Sequence, residues 1–285
     1  MKRSQNERVA ELTLSLVALG SLGILTLITV FIFKEGLPAL KEIGLWEFIG
    51  GTRWVPSKKI FGIFPMLVGS FMVTGGALAI GIPLGLGCAV YLSEFSSPGV
   101  ARLLKSMIEL LAGIPSVVFG FIGLTVVVPF IRTYFGGPGF SVLASSIVLG
   151  LMILPTMVSV SYDALRAVPE SYRDGMMAVG ATRWQAVRMV ILPSARSGIL
   201  AAAILATGRA MGETMAVIMV AGNATAVPES LLDPVRTLTS NIALEMGYSA
   251  GIHRQALFAT GIVLFFLVTV LNLIAHAAVR GGSGR

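Results

Sequence analysis

Cysteine is nearly absent from this chain: Cys88 is alone among 285 residues, so no internal disulfide can form. The two histidines, His253 and His276, each stand alone, and no His/Cys cluster offers a metal site. Charge is scarce as well. Only 12% of residues are charged against 55% hydrophobic, and mean hydropathy is +0.87. That balance excludes an ordinary soluble domain and predicts a polytopic chain that folds in lipid. No GxxxxGK[ST] loop is present, so the chain lacks the phosphate cradle needed to bind ATP by itself. Neither an HExxH pair nor a G-x-S-x-G elbow occurs, which leaves a membrane hydrolase unsupported. The net charge of +7 would suggest nucleic acid in a soluble protein, but these basic residues are scattered through short loops.

What is there is apolar and periodic. Runs long enough to cross a hydrocarbon core occupy about 12–33, 64–92, 106–131, 141–162, 198–222 and 255–279. They predict an all-α polytopic membrane protein with about six transmembrane helices. The first run follows Lys2, Arg3 and Arg8 as a signal peptide would, yet it is too long for an h-region and shows no convincing cleavage site. A retained anchor is expected. Basic residues favour the side that carries the N-terminus, Arg102, Lys105, a polar loop at 163–197 and the tail. The positive-inside rule then puts both termini and that loop in the cytoplasm. The predicted organisation is a cytoplasmic N-terminus at 1–11, a first helix at 12–33 and an external segment at 34–63. A five-helix core at 64–279 follows, with the loop inside it, and then a cytoplasmic tail at 280–285.

Glycines such as Gly69, Gly76, Gly81 and Gly85 permit close helix approach in lipid. Pro83, Pro115, Pro129 and Pro155 should kink spans or end them early. Trp46 and Trp54, in the external segment, are expected to anchor at the membrane interface. Cys88 reads as a small packing residue.

The polar loop carries two short helix signals. Pro169 stands at a plausible first helical position before Glu170, and Gly180 offers a C-terminal stop. Thr182 and Gln185 have capping-box spacing, and Trp184, Val187 and Ile191 share one helical face until Pro193, where the run should end. On charge alone, Arg166, Arg173, Arg183, Arg188 and Arg196 fit a plain basic cytoplasmic loop.

The fifth span places Arg209 near its middle, where an arginine costs roughly 2.5 to 3.5 kcal/mol and should face a partner or a watery path. Glu213, four residues on, is expected on the same helical face. Spacing leaves two readings open: a structural ion pair, or a pair that handles an anion. Arg209 could offer a fork of donors to a tetrahedral oxyanion, and Glu213 could accept a hydrogen bond from a protonated phosphate oxygen, which sulfate lacks. Thr214 could add a hydroxyl, and Ser116 could face a pore. Glu109, expected to open the third span, reads as a residue that snorkels or pairs.

The order Asp174, Gly175, Met176, Gly180, Val190, Leu192, Pro193 resembles the cytoplasmic EAA loop of ABC importer permeases: Glu-Ala-Ala, three residues, Gly, nine residues, Ile-x-Leu-Pro. Asp, Gly, Met and Val replace four of those residues, while the glycine and the Leu-Pro spacing are kept. Together with Glu-Leu-Leu-Ala-Gly-Ile-Pro-Ser from Glu109 and Arg-Ala-Met-Gly-Glu-Thr from Arg209, the chain resembles the phosphate-specific permeases of bacterial ABC importers. Gly51-Thr52-Arg53-Trp54-Val55-Pro56 is similar to their PstC branch rather than the sister PstA branch.

The resemblance implies a type I importer fold in the bacterial inner membrane, with the external segment periplasmic. It implies a PstA-like sister permease, a PstB-like ATPase dimer that binds ATP and Mg, and a PstS-like phosphate-binding protein. The chain itself would carry no cofactor and catalyse nothing. Arg209 and Glu213 match the family's charged pair for phosphate passage. Asp174, Gly180, Ala181, Thr182, Trp184, Leu192 and Pro193 would couple the ATPase to alternating access. A permease for molybdate or sulfate, a proton-coupled carrier using Glu213, and a phosphate-status reporter remain as competing readings.

Overall fold

The computed structural model describes residues 5–282. Lys2, Arg3 and the end of the basic tail lie outside the described residues, as do the side chains of Arg8, His276 and Arg280. In chain order the elements are α1 (Gln5–Ile43), α2 (Leu45–Gly50), β1 (Trp54–Val55), β2 (Ile60–Phe61), α3 (Phe64–Val90), α4 (Pro98–Ala112), α5 (Ser116–Ile122) and α6 (Val128–Tyr134). Then come α7 (Val142–Arg166), α8 (Glu170–Ala178), α9 (Arg183–Ala186), α10 (Leu192–Gly212), α11 (Met215–Val220), α12 (Leu238–Glu245) and α13 (Gly251–Gly282). Among the described residues, six helices are long and apolar enough to cross a membrane, as expected. Lipid offers no partner to a free peptide group, so apolar stretches of this length close their hydrogen bonds within helices.

Three boundaries differ from expectation. Helix α1 continues through Lys34 and Pro38 to Ile43, so the first third of the segment at 34–63 is helical. The run expected at 106–131 is broken: α4 is a separate amphipathic helix that contains Glu109, and the chain restarts at Ser116 after Gly113-Ile114-Pro115. Glu109 therefore does not open the third span. The fifth span starts early, at Arg183, and stops early, at Gly212. Residues 213 and 214 are non-helical, and α11 is a short second half.

The centre of the bundle is α3 against α7. Small residues let the two backbones close: a Cβ on Gly85 would stand 2.6 Å from Met157 Cβ, and one on Gly76 would stand 2.2 Å from Ser146 Oγ. The alanine face of α10, Ala202, Ala206 and Ala210, packs into the same cluster as Val73, Leu149 and Ile153. Helix α1 meets α13 only towards its end, where Gly36 faces Ala259, and the most apolar stretch of α1 buries nothing.

Prolines are absorbed in two ways. Pro83 and Pro155 lie inside α3 and α7 without ending them. Pro129 and Pro193 each follow a π-turn, at Gly123–Val127 and Val187–Ile191. The wider turn carries the helix past the missing N–H. Pro193 consequently does not end the second loop helix. Instead α9, the π-turn and α10 form one path from the polar loop to Arg209.

Candidate coupling loop and translocation path

The loop between α7 and α10 folds by its own cap chemistry. Pro169 is the residue before the first helical position, not the first helical residue itself. At the other end of α8, the Gly180 N–H donates to the Met177 carbonyl (3.0 Å) and the Ala181 N–H to the Met176 carbonyl (3.1 Å). This is a Schellman stop, with Gly180 at φ +84°. No atom lies within 4 Å of where a Gly180 Cβ would stand, so the backbone angle, and not crowding, selects glycine. The Thr182 N–H donates to Gln185 Oε1 at 2.7 Å and the Gln185 N–H to Thr182 Oγ1 at 3.3 Å, which completes the expected capping box.

Beneath α9, Val187 and Ile191 pack with Leu92, Val158 and Leu165. Tyr172, Met177, Val179, Trp184 and Met189 of the loop are largely apolar yet exposed. Asp174 and Pro193 are exposed, while Ala181 and Leu192 are half-buried. The sequence reading treated Arg173 as one cation among several, but the structure gives it a specific place. Its Nη2 and Nε donate to Glu94 Oε1 and Oε2 at 2.7 and 3.0 Å. Its Nη1 and Nη2 donate to the Val168 and Leu165 carbonyls at 2.9 and 3.0 Å. Nearby, Lys105 of α4 donates to Asp163 of α7 at 2.9 Å and lies over the Tyr162 ring.

In the membrane-spanning part, the helix stops between Arg209 and Glu213, so the two do not share a helical face. No ion pair joins them among the described residues. Arg209 is in the last turn of α10, near the end of the fifth span and not at its middle as expected, because the helix stops at Gly212; it is exposed on the surface of the chain. Glu213 is extended (φ −68°, ψ 136°) and half-buried. Its Oε1 accepts from the Ala216 N–H at 3.1 Å, and its carbonyl accepts from Thr239 Oγ1 at 2.8 Å. Thr214 stands at the N-cap position of α11 without a side-chain cap bond, and its hydroxyl donates to the Gly212 carbonyl at 3.3 Å. Ser116 begins α5 at the other break. The half-helices α5 and α11 that leave these breaks pack together, for a Cβ on Gly120 would stand 2.9 Å from Ala216 Cα. A cavity of about 260 Å³ between α10 and α13 includes Ala203, Thr207, Gly208 and Val268 in its lining; its almost wholly apolar wall does not suit an oxyanion.

At the far end from the loop the structure builds a cluster that the sequence reading missed. Glu245 is buried and accepts from Trp54 Nε1 (2.8 Å) and Arg236 Nη1 (2.6 Å), while His253 Nε2 lies 2.8 Å from its second oxygen. Trp54 is therefore a buried hydrogen-bond donor and not an interface anchor, whereas Trp46 is 85% exposed, as an anchor would be. His253 does not stand alone. Burial by itself would raise the Glu245 pKa, but the donors Trp54, His253 and Arg236 outweigh it and hold the carboxyl below its ordinary value.

Six apolar helices, with a break just before the third crossing, another at the end of the fifth and a capped double-helix turn leading into the fifth, define a polytopic membrane protein. The chain belongs to the family of binding-protein-dependent transport system inner membrane components, whose model matches residues 81–281. It is 42% identical over 254 residues to a probable ABC transporter permease protein, YqgH, of Bacillus subtilis (strain 168), covering 87% of this chain and 82% of that protein. It is 33% identical to the phosphate transport system permease protein PstC of Mesorhizobium japonicum, with the same two coverages, and 33% identical to PstC of Haemophilus influenzae, covering 87% of each chain. The fold matches that of a bacterial alginate ABC transporter chain with TM-score 0.61 at 16% identity, covering 90% of this chain and 92% of that one. It matches a chain of the MetNI methionine transporter with TM-score 0.57 at 22% identity, covering 78% and 94%. The chain is thus a multi-pass inner-membrane permease subunit of an ABC importer, similar to PstC.

Proposed function

We propose that this permease forms the phosphate path of an ATP-driven importer, together with a PstA-like sister subunit. A PstB-like ATPase dimer, which binds ATP and Mg, docks on the loop from the cytoplasm, and a PstS-like protein delivers phosphate from the periplasm. The observation that carries this reading is the exposed Arg209 beside a helix break: an arginine in the last turn of a membrane-spanning helix, left uncovered among the described residues, calls for a sister subunit and a hydrated anion path around it. The PstC relatives support phosphate as that anion. Arg209 offers its donor fork. Glu213 spends one oxygen on Ala216 and leaves the other to accept from a protonated phosphate oxygen, which disfavours sulfate. Thr214 and Ser116, at the two breaks, complete the polar lining.

Asp174, Ala181, Thr182 and Trp184 would contact the ATPase, with Gly180 as the bend. Leu192 and Pro193 carry its motion past the π-turn into α10, so that the path alternates between the two sides. The basic bias of the loop side supports cytoplasmic termini. The test is labelled phosphate uptake into vesicles holding the four-part complex. Arg209→Gln should lower uptake at least a hundredfold with the complex still assembled; normal uptake overturns the role. Sulfate or molybdate competing with phosphate at equal concentration would assign the path to another oxyanion.

A further inference from the structure

The coupling helix α8 is attached in an unusual way. None of its nine residues is buried, so apolar packing does not hold it to the body. A cavity of about 360 Å³ lies beneath it, with Arg166, Glu170, Met177, Arg183 and Val187 in its wall. A helix that stands over a hollow passes little load through its general surface. What crosses the gap is the Arg173 side chain, which lines the same cavity and ends in a set of four hydrogen bonds.

The four acceptors belong to two different helices' ends. Glu94 lies in the π-turn that follows α3, and its side chain is only 6% exposed. The Leu165 carbonyl is in the last turn of α7 and that of Val168 just beyond its C-cap, where the i+4 helical donors run out; Leu165 also takes a long 3.3 Å bond from the Val168 N–H. The paired planar fork resists both rotation and translation, which a lysine's single point charge would not. Beyond this joint, α3 and α7 meet backbone to backbone through Gly76, Gly81 and Gly85, and α10 packs its alanines on both.

We infer that Arg173 and Glu94 form a transmission joint: they are positioning residues that make α3 and α7 move as one with α8, alongside the covalent route through α9 and α10. Without the joint, the loop would pull α10 and leave the α3–α7 block behind. This rests on the proposed docking of an ATPase at the loop.

The experiment uses the full reconstituted complex and reads ATP hydrolysis and phosphate uptake separately. Glu94→Gln keeps hydrolysis within about twofold and lowers phosphate moved per ATP at least tenfold, and the reciprocal pair Glu94→Arg with Arg173→Glu recovers part of that ratio. An unchanged ratio in Glu94→Gln overturns the joint. So does a parallel fall of hydrolysis and uptake that the reciprocal pair does not repair, because a merely structural bridge behaves that way. Should Glu94→Gln fail to assemble, Glu94→Cys with Arg173→Cys on a Cys88→Ala background is bridged by a short bis-methanethiosulfonate, which joins the two thiols through reducible disulfides. Uptake per ATP then rises on bridging and falls again on reduction; no response to either overturns the joint. A wild-type complex that hydrolyses ATP but moves no phosphate refutes the substrate reading alone. In that case the joint is read from binding-protein stimulation of hydrolysis, which must depend on the same bridge.

Discussion

At the scale of single residues, three positions show how different kinds of necessity look alike in a sequence. Gly180 is required by its backbone angle: Gly180→Val forces a branched side chain into the left-handed region at a cost of about 1–2 kcal/mol. The variant should open the Schellman stop and reduce phosphate moved per ATP several-fold, measured in the reconstituted complex, while membrane insertion stays normal. Gly85 is required by its neighbour, and Gly87, two residues on, is not: nothing lies within 4 Å of a Cβ placed on Gly87. Gly85→Val should destabilise by about 1–3 kcal/mol through overpacking against Met157, seen as a lower melting temperature in lipid nanodiscs, and Gly87→Ala should leave it unchanged. Glu245 is required by its partners. Its folded pKa lies below the ordinary 4.5, so its contribution is full above that value and is lost as pH falls through the lower folded one. The cluster around Trp54 and Glu245 should therefore loosen as pH falls below the ordinary carboxylate range, as amide exchange at Trp54 and Phe61 would report. Glu245→Gln should show that loosening at neutral pH.

At the scale of elements, the polar loop was legible because caps are local chemistry: Gly180, Thr182 and Gln185 lie within five positions of one another. Hydropathy located all six long apolar helices for the same reason, since lipid tests each stretch separately. Of the two breaks only the first carried a signal, Pro115, and its extent was not legible; the second carried none. Gly113-Ile114-Pro115 and Gly212-Glu213-Thr214 interrupt the backbone over so few residues that any window long enough to detect a span averages across them. The continuation past Pro193 was misread because a proline commonly stops a helix, while a π-turn that accommodates it leaves no compositional trace.

At the scale of the whole molecule, the clusters that tie the fold together join residues remote in sequence. Trp54 and Glu245 are 191 positions apart, and Arg173 and Glu94 are 79 apart. No periodicity connects such pairs, and topology alone brings them together. The first helix is the opposite case. At a rise of about 1.5 Å per residue, the stretch from Glu11 to Ile43 is roughly 50 Å long, against a hydrocarbon thickness of about 30 Å. It must either lean steeply or stand well clear of the bilayer. Because its apolar half stays unburied among the described residues, its free energy of insertion is settled chiefly by its own composition before any later helix is made. Biogenesis can therefore seat this helix in the lipid first, and the rest of the bundle then assembles against its anchored far end.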